Sequence, residues 1–229
     1  ALNPAPLHED PGKDKRHKLR LARQAERALS YMAPAFFAIH PVEAEAPEED
    51  VLLLDYACIS TVAESTMHVP TYARWVETHD NGPAYEYLHL LLKVLSWQSP
   101  QRTWVLKSPH HLEFLDDFFA YFPNATVVMP HRDPVKTLPS FCSMMWHGRS
   151  IFSDAVDAEQ VGAQWLRKTT RMLRRGHDAR QRYPDNQFVD ILYRDLIEDP
   201  LAQIQRIYQA YGRPLNKDTR KQMQASLNV

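Results

Sequence analysis

Three short segments hold the residue types that could do chemistry. Lys107-Ser108-Pro109-His110-His111 follows the apolar run Thr103-Trp104-Val105-Leu106. Its lysine would stand at the end of a strand, and its two histidines would occupy the first turn of the helix that follows. A helix N-terminus offers free N–H groups and the positive end of the dipole to a bound anion, and it disfavours a charged imidazole. A histidine there stays neutral and able to accept a proton. His131-Arg132-Asp133-Pro134 comes next, with Ser140 eight residues beyond the arginine. A guanidinium fork matches phosphate oxygens in pairs, a hydroxyl adds a directional donor, and Asp133-Pro134 reads as a helix start. The third segment is Tyr193-Arg194-Asp195, after the apolar run Phe188–Leu192. The first two have a plain structural reading too: a surface lysine beside capping or packing histidines, and Arg132 paired with Asp133 or Asp195.

The elements that would position these residues form an alternating pattern. After Pro100 the order is strand (103–106), helix to Tyr121, strand (125–129), helix (134–146), long helix (155–183), strand (188–192) and a closing helix (201–211) ended by Gly212. That order predicts an α/β fold with a parallel sheet and right-handed crossovers. Ligands in such sheets bind beyond the carboxyl ends of the strands, which is where all three segments fall. Before Pro100 the chain reads as helical, with Lys15–Ala33, a buried segment from Val51 to Ser60 read as helix over the alternative of a short strand, and helices over 70–79 and 83–97 separated by Asp80-Asn81-Gly82-Pro83. Residues 1–100 are expected to be a mainly helical acceptor-side portion and residues 101–229 an α/β cofactor-binding portion, integrated as one domain.

Composition bounds the partners. The chain has 229 residues, 44% of them hydrophobic and 24% charged, enough for a core that buries about 70% of the unfolded surface. Its 27 Lys and Arg against 28 Asp and Glu leave a net charge of −1, which argues against a nucleic-acid coat and makes any anion site local. Cys58 and Cys142 match no metal-ligand spacing, and two cysteines are too few for a disulfide framework, so a reducing, cytoplasmic setting is expected. No apolar run approaches the roughly 20 residues of a membrane span. The six glycines are scattered, so neither GxGxxG nor GxxxxGK[ST] occurs. His131-Arg132-Asp133 imitates a protein-kinase catalytic loop, but Leu138 stands where that loop needs Asn. The stretch Gln160–Arg182 carries Arg167, Lys168, Arg171, Arg174, Arg175, Arg180 and Arg182 against Asp178, and reads either as a solvated face or as a funnel for an anion.

Taken in order, these segments resemble the bacterial branch of the sulfotransferases that use 3′-phosphoadenosine-5′-phosphosulfate. Trp104–Leu112 is similar to that branch's Leu-Lys-Ser-Pro-x-His segment. His131-Arg132-Asp133-Pro134 with Leu138-Pro139-Ser140 resembles its 3′-phosphate-binding strand and helix. Tyr193-Arg194-Asp195-Leu196-Ile197-Glu198-Asp199-Pro200 is similar to its Tyr-x-Asp-Leu-x-x-Asp-Pro segment, and Phe37–Pro41 with Pro47-Glu48-Glu49 resembles its helical part. The resemblance implies a P-loop-NTPase-like sheet and transfer of a sulfuryl group to a hydroxyl or amine of a small-molecule, lipid or glycan acceptor, without a metal. It implies that Lys107 stabilises the sulfuryl group and the bridging oxygen. It makes His111 the general base, with His110, Glu48 and Glu49 as alternatives. Arg132 and Ser140 would hold the 3′-phosphate and Tyr193 the adenine. Tyr72, Trp75, Tyr85, Tyr87 and Trp97 could serve a lipid, a phenol or a glycan.

The family's first strand, with its glycine–threonine loop for the 5′-phosphosulfate, has no counterpart in the sequence, nor has the basic, glycine-containing segment that closes over the 3′-phosphate. The expectation is therefore the middle and later portion of a longer protein, or one whose disordered ends are left out. A protein that keeps the 3′-phosphonucleotide half-site without catalysis is the alternative. If the reading holds, Lys107, Arg132 and Tyr193 share one crevice.

Overall fold

The computed structural model of the protein describes residues 6–98 and 103–227. Its first half is helical because capping and proline signals punctuate a run of helix-period sequence. Asp10 accepts from Lys13 N at 2.6 Å and Pro11 opens α1 (Pro11–Met32), after which Pro34 starts the short α2 (Pro34–Ile39). The buried segment after Asp50 is helical as expected, but only over α3 (Val51–Leu54) and a 3-10 turn (Asp55–Ala57); Cys58 then turns the chain with a left-handed φ of 55°. Next come α4 (Val62–Thr66), α5 (Pro70–Thr78) and α6 (Gly82–Gln98). The turn between α5 and α6 is sealed by buried Asn81, whose amide donates to the carbonyls of Val76 and His79 at 3.0 Å each.

The second half supplies the sheet, with one strand fewer than expected. Residues 103–108 form no strand: Val105 is 91% exposed, and the Lys107 N–H and C=O bond to Asp50 rather than to a neighbouring strand. A short apolar run satisfies the sequence pattern of a strand, but a ladder partner is what makes one. The sheet of the described residues pairs β1 (Val127–His131) with β2 (Phe188–Leu192) in parallel, in a register running from Val127 opposite Phe188 to His131 opposite Leu192. β1 starts two residues later than its sequence pattern because Ala125 N is taken by the Phe122 carbonyl at 3.0 Å.

Before β1, Pro109–Glu113 is a 3-10 turn and α7 (Leu115–Tyr121) begins only after Phe114, so the expected single helix is broken in two. The crossover from β1 to β2 is made by α8 (Pro134–Ser150) and α9 (Ala158–Arg180), capped by Asp133 and Asp157. After β2 come α10 (Tyr193–Glu198), α11 (Pro200–Ala210), a left-handed Gly212 at φ 73° that ends α11 as its sequence demands, and α12 (Lys217–Ser226).

The domain division expected at residues 100 and 101 lies outside the described residues. The main core draws on both sides of it, joining Leu54, Val76, Tyr85 and Leu88 to Phe118, Phe119 and Phe188. A second cluster of Met145, Val161 and Trp165 lies between α8 and α9. Each such large side chain contributes about 1.5–3 kcal/mol by leaving water.

The helix α9 lies hard against the 109–113 turn where Gly176 meets Leu112. A Cβ at Gly176 would fall 2.3 Å from Leu112 Cδ1 and 3.0 Å from the Leu112 carbonyl oxygen. The leucine tip can rotate away; the carbonyl can yield only if the turn moves. Gly176→Ala gains about 1 kcal/mol of helix propensity but incurs about 1–3 kcal/mol of overpacking. The expected outcome is a net loss of about 1 kcal/mol in urea unfolding, and a variant at least as stable as the parent would refute the close approach.

Candidate active site

The site is built outward from one buried carboxylate. Asp50, 6% exposed at the head of α3, accepts from Lys107 N at 2.7 Å through Oδ1 and meets His111 Nε2 at 2.7 Å through Oδ2. The Asp50 N–H in turn donates to the Lys107 carbonyl at 3.3 Å. His111 Nδ1 lies 3.0 Å from the hydroxyl of fully buried Tyr85. Burial, reinforced by the charges of Asp117, Asp50 and Glu113, pushes the Tyr85 pKa well above its ordinary value. The hydroxyl therefore stays protonated, and the assignment that satisfies every atom has Tyr85 donating to Nδ1 and Nε2–H donating to Asp50. Both imidazole nitrogens of His111 are engaged.

Its neighbour has the opposite surroundings. His110 is completely buried against Phe114, their rings 4.6 Å apart, and neither ring nitrogen has a partner. Burial, then the charges of His111 and Lys168, push its pKa well below the ordinary histidine value, so it is a neutral interior group walled off from solvent. Adjacent residues diverge in this way because a 3-10 turn rotates about 120° per residue.

The Lys107 side chain runs outward, 70% exposed, to an ion pair with Glu49. Glu48 folds back on its own backbone, accepting from Glu49 N at 2.9 Å, so Glu49 is the acid of the pair that faces the lysine. The sequence offered Tyr85 only as an acceptor-side aromatic, and the fold instead buries it against His111; the only sequence signal for Asp50 was its place directly after Pro47-Glu48-Glu49.

A second cluster forms at the end of the sheet. Because His131 pairs with Leu192, the residues that follow them emerge side by side, and the Arg132 guanidinium lies 4.3 Å from the centroid of the Tyr193 ring. Among the described residues Arg132 makes no ion pair: Asp133 caps α8 by accepting from Val135 N at 3.0 Å, and Asp195 is taken by Arg194 at 3.1 Å. The alternative of a structurally neutralised arginine is thereby removed. Ser140 is exposed on the second turn of α8. Lys107 makes its contacts with Glu49 and Asp50 and none with the Arg132–Tyr193 pair. Asp190 of β2 braces this end, bonding His131 Nε2 at 2.6 Å and both terminal nitrogens of Arg180 at 2.7 and 2.6 Å. The Arg180 bonds come first among the influences that hold its carboxyl at about 2.

Beneath the 109–113 turn lies a cluster that sequence reasoning missed. Lys168 is wholly buried, with its ammonium 2.9 Å from Glu64, 3.3 Å from Glu77 and 3.1 Å from Glu113. Burial alone would lower its pKa; the carboxylates, Glu64 foremost, reverse that and hold it above the ordinary lysine value. Arg167 clasps Glu77 at 2.9 and 2.7 Å, and Arg171 reaches Glu113 at 2.5 Å. With Arg180 on Asp190 and Arg182 on Asp116, most of the basic stretch of α9 is spent on acids from other elements, a role neither solvated face nor funnel. Among the described residues no group of three or more His, Cys, Asp or Glu side chains converges as metal ligands, and no helix is long and apolar enough to cross a membrane.

The profile of the sulfotransferase family matches residues 2–217. Among solved structures, the chain is similar to sulfotransferase STF1 from Mycobacterium tuberculosis H37Rv, at 33% identity and a TM-score of 0.76, over 86% of this chain and 56% of that one. It is also similar to sulfotransferase STF9 from Mycobacterium avium, at 25% identity and a TM-score of 0.75, over 86% of this chain and 54% of that one. The chain thus spans a little over half the length of each of these structures. No curated protein sequence matches it.

The brace at Asp190 has a measurable signature. Its folded pKa of about 2 lies below the unfolded value of about 4, so its contribution is complete above about pH 4 and lost as pH falls toward 2. The side chain is 42% exposed, which limits that contribution to about 1 kcal/mol or less. Urea unfolding of the parent and Asp190→Asn should show a gap that narrows between about pH 4 and pH 2. A gap unchanged across that window would contradict the assignment.

Proposed function

The chain belongs to the sulfotransferase family, and we propose that it moves a sulfuryl group from 3′-phosphoadenosine-5′-phosphosulfate to a hydroxyl or amine of a small-molecule, lipid or glycan acceptor. The observation that carries the reading is the pairing of Lys107 with Glu49, its register held by Asp50 through the backbone of Lys107 and the imidazole of His111. A cation and a carboxylate side by side, on a backbone tied at both its N–H and C=O, are what an in-line displacement at sulfur needs. The acceptor oxygen or nitrogen gives its proton to the base and forms a bond to sulfur. The bond from sulfur to the bridging oxygen breaks, and Lys107 stabilises the charge that collects on that oxygen. Adenosine 3′,5′-bisphosphate leaves, its 3′-phosphate on Arg132 and Ser140 and its adenine against Tyr193.

Glu49 suits the part of general base better than His111. The imidazole has Nε2 committed to Asp50 and Nδ1 to Tyr85, so it could take the acceptor proton only by giving up a buried hydrogen bond. Glu49 stands partly exposed beside the lysine, and a sulfuryl group arriving at Lys107 would free its carboxylate. His111 then serves by orienting Asp50. Of the aromatics suggested for the acceptor, Trp75, Tyr87 and Trp97 are exposed and Tyr72 is half-buried, while Tyr85 is buried and unavailable to it. A cytoplasmic setting belongs to the same reading and rests on the free thiols of Cys58 and Cys142.

The test is transfer of radiolabelled sulfuryl across a panel of acceptor classes, with calorimetry of adenosine 3′,5′-bisphosphate alongside. Glu49→Gln should lower turnover by about 10²–10⁴-fold with the nucleotide affinity retained. Arg132→Ala should weaken the nucleotide by about 10–100-fold. Full turnover in Glu49→Gln would return the base to His111. Nucleotide binding without transfer to any acceptor would favour a binding protein over an enzyme.

A further inference from the structure

Glu113 closes the turn that carries His111, and its carboxylate, fully buried, is gripped from one side only. Oε2 lies 3.1 Å from Lys168 Nζ and Oε1 lies 2.5 Å from Arg171 Nε, both on α9. Two turns further along the same helix, Gly176 admits the backbone of Leu112. The turn is a five-residue 3-10 segment, too short to hold its own position, so α9 sets where it stands. From the turn the chain of contacts runs through His111 to Asp50 and from Asp50 to the Lys107 N–H, with Glu49 adjacent in sequence.

We propose that Glu113 and Lys168 are positioning residues for the transfer step, fixing the 109–113 turn on α9 and thereby the placement of Lys107 and Glu49. The proposal rests on the sulfotransfer reading of that site. A displacement of about 1 Å at a reacting centre costs up to about 10²-fold in rate, so a brace acting through two hydrogen bonds has that much to lose.

Glu77 supplies the control. It is a second carboxylate on the same ammonium, but it sits on α5 and not on the turn. Glu113→Gln and Glu77→Gln keep side-chain size and each leaves Lys168 two carboxylates, so both should lower Tm by similar amounts. A merely structural role then lowers kcat in step with Tm in both variants. Positioning gives a split: Glu113→Gln loses about 10–100-fold in kcat, with donor KM and bisphosphate Kd within about 2-fold, while Glu77→Gln keeps kcat within about 2-fold. The imidazole nitrogen resonances of His111 should shift in Glu113→Gln and stay in place in Glu77→Gln.

Should Glu113→Gln fail to fold, Arg171→Met against Arg167→Met repeats the comparison from the partly exposed side. Arg167 touches Glu77 alone, whereas Arg171 holds both Glu113 and the Glu77 carbonyl, so only the loss of kcat in Arg171→Met beyond that in Arg167→Met counts for positioning. All variants are made in the full chain. Parallel loss of kcat and Tm, or unchanged kcat in Glu113→Gln, overturns the positioning role while the sulfotransfer reading stands. Absence of both transfer and nucleotide binding in the parent protein overturns the two together.

Discussion

The ammonium of Lys168, wholly withdrawn from water, is the constraint around which the molecule is arranged. Burying a lone charge costs on the order of several kcal/mol, and that cost is offset only if partners converge with good geometry. Three carboxylates do so here, each from a different element: Glu64 from α4, Glu77 from α5 and Glu113 from the turn before α7. Arg167 and Arg171 reach in from the surface and bring the cations level with the acids. Shifting any one element would strand a buried charge, so the network ties the helical half to the turn beside the sheet more strictly than apolar contact could.

Along its length α9 carries out several of these tasks. Val161 and Trp165 pack on α8, Lys168 gathers the carboxylates, Gly176 admits Leu112, and Arg180 clamps Asp190 of β2. The two polar clusters of the site are therefore braced from one helix at different points. The Glu49–Lys107 cluster depends on α9 through the 109–113 turn, and the Arg132–Tyr193 cluster depends on it through Asp190 and His131. On the proposed reading, the reactive and nucleotide ends of the sulfuryl donor fall to these two clusters, and one stiff helix braces both.

How much of this was legible in the sequence depended on whether the signal was local. The helices over Pro70–Thr78 and Gly82–Gln98 were readable because helical period, Pro70 and the Asp80–Pro83 turn agree. β2 was readable as an apolar run between turn residues, and Arg132 and Tyr193 were readable as polar residues at strand ends. The run 103–106 looked the same and is no strand, since nothing in four residues tells whether a ladder partner lies alongside. The paired histidines looked equivalent, and a 3-10 turn sent His110 into the core and His111 to Asp50.

The sequence by itself determined the punctuation of the chain, its helix starts and turns, the α/β alternation of its second half, and the chemical types able to meet a sulfate or phosphate. Such features are set by a residue and its neighbours within a turn or two, through capping, proline geometry and hydrophobic period. Only the tertiary structure decided that Asp50 joins Lys107 to His111 across 57 and 61 residues, and that Arg167, Lys168 and Arg171 of α9 face acids 55 to 104 residues away. Charge pairing acts through space and leaves no mark on the spacing of the chain. The same lysine reads as a surface charge until the fold encloses it.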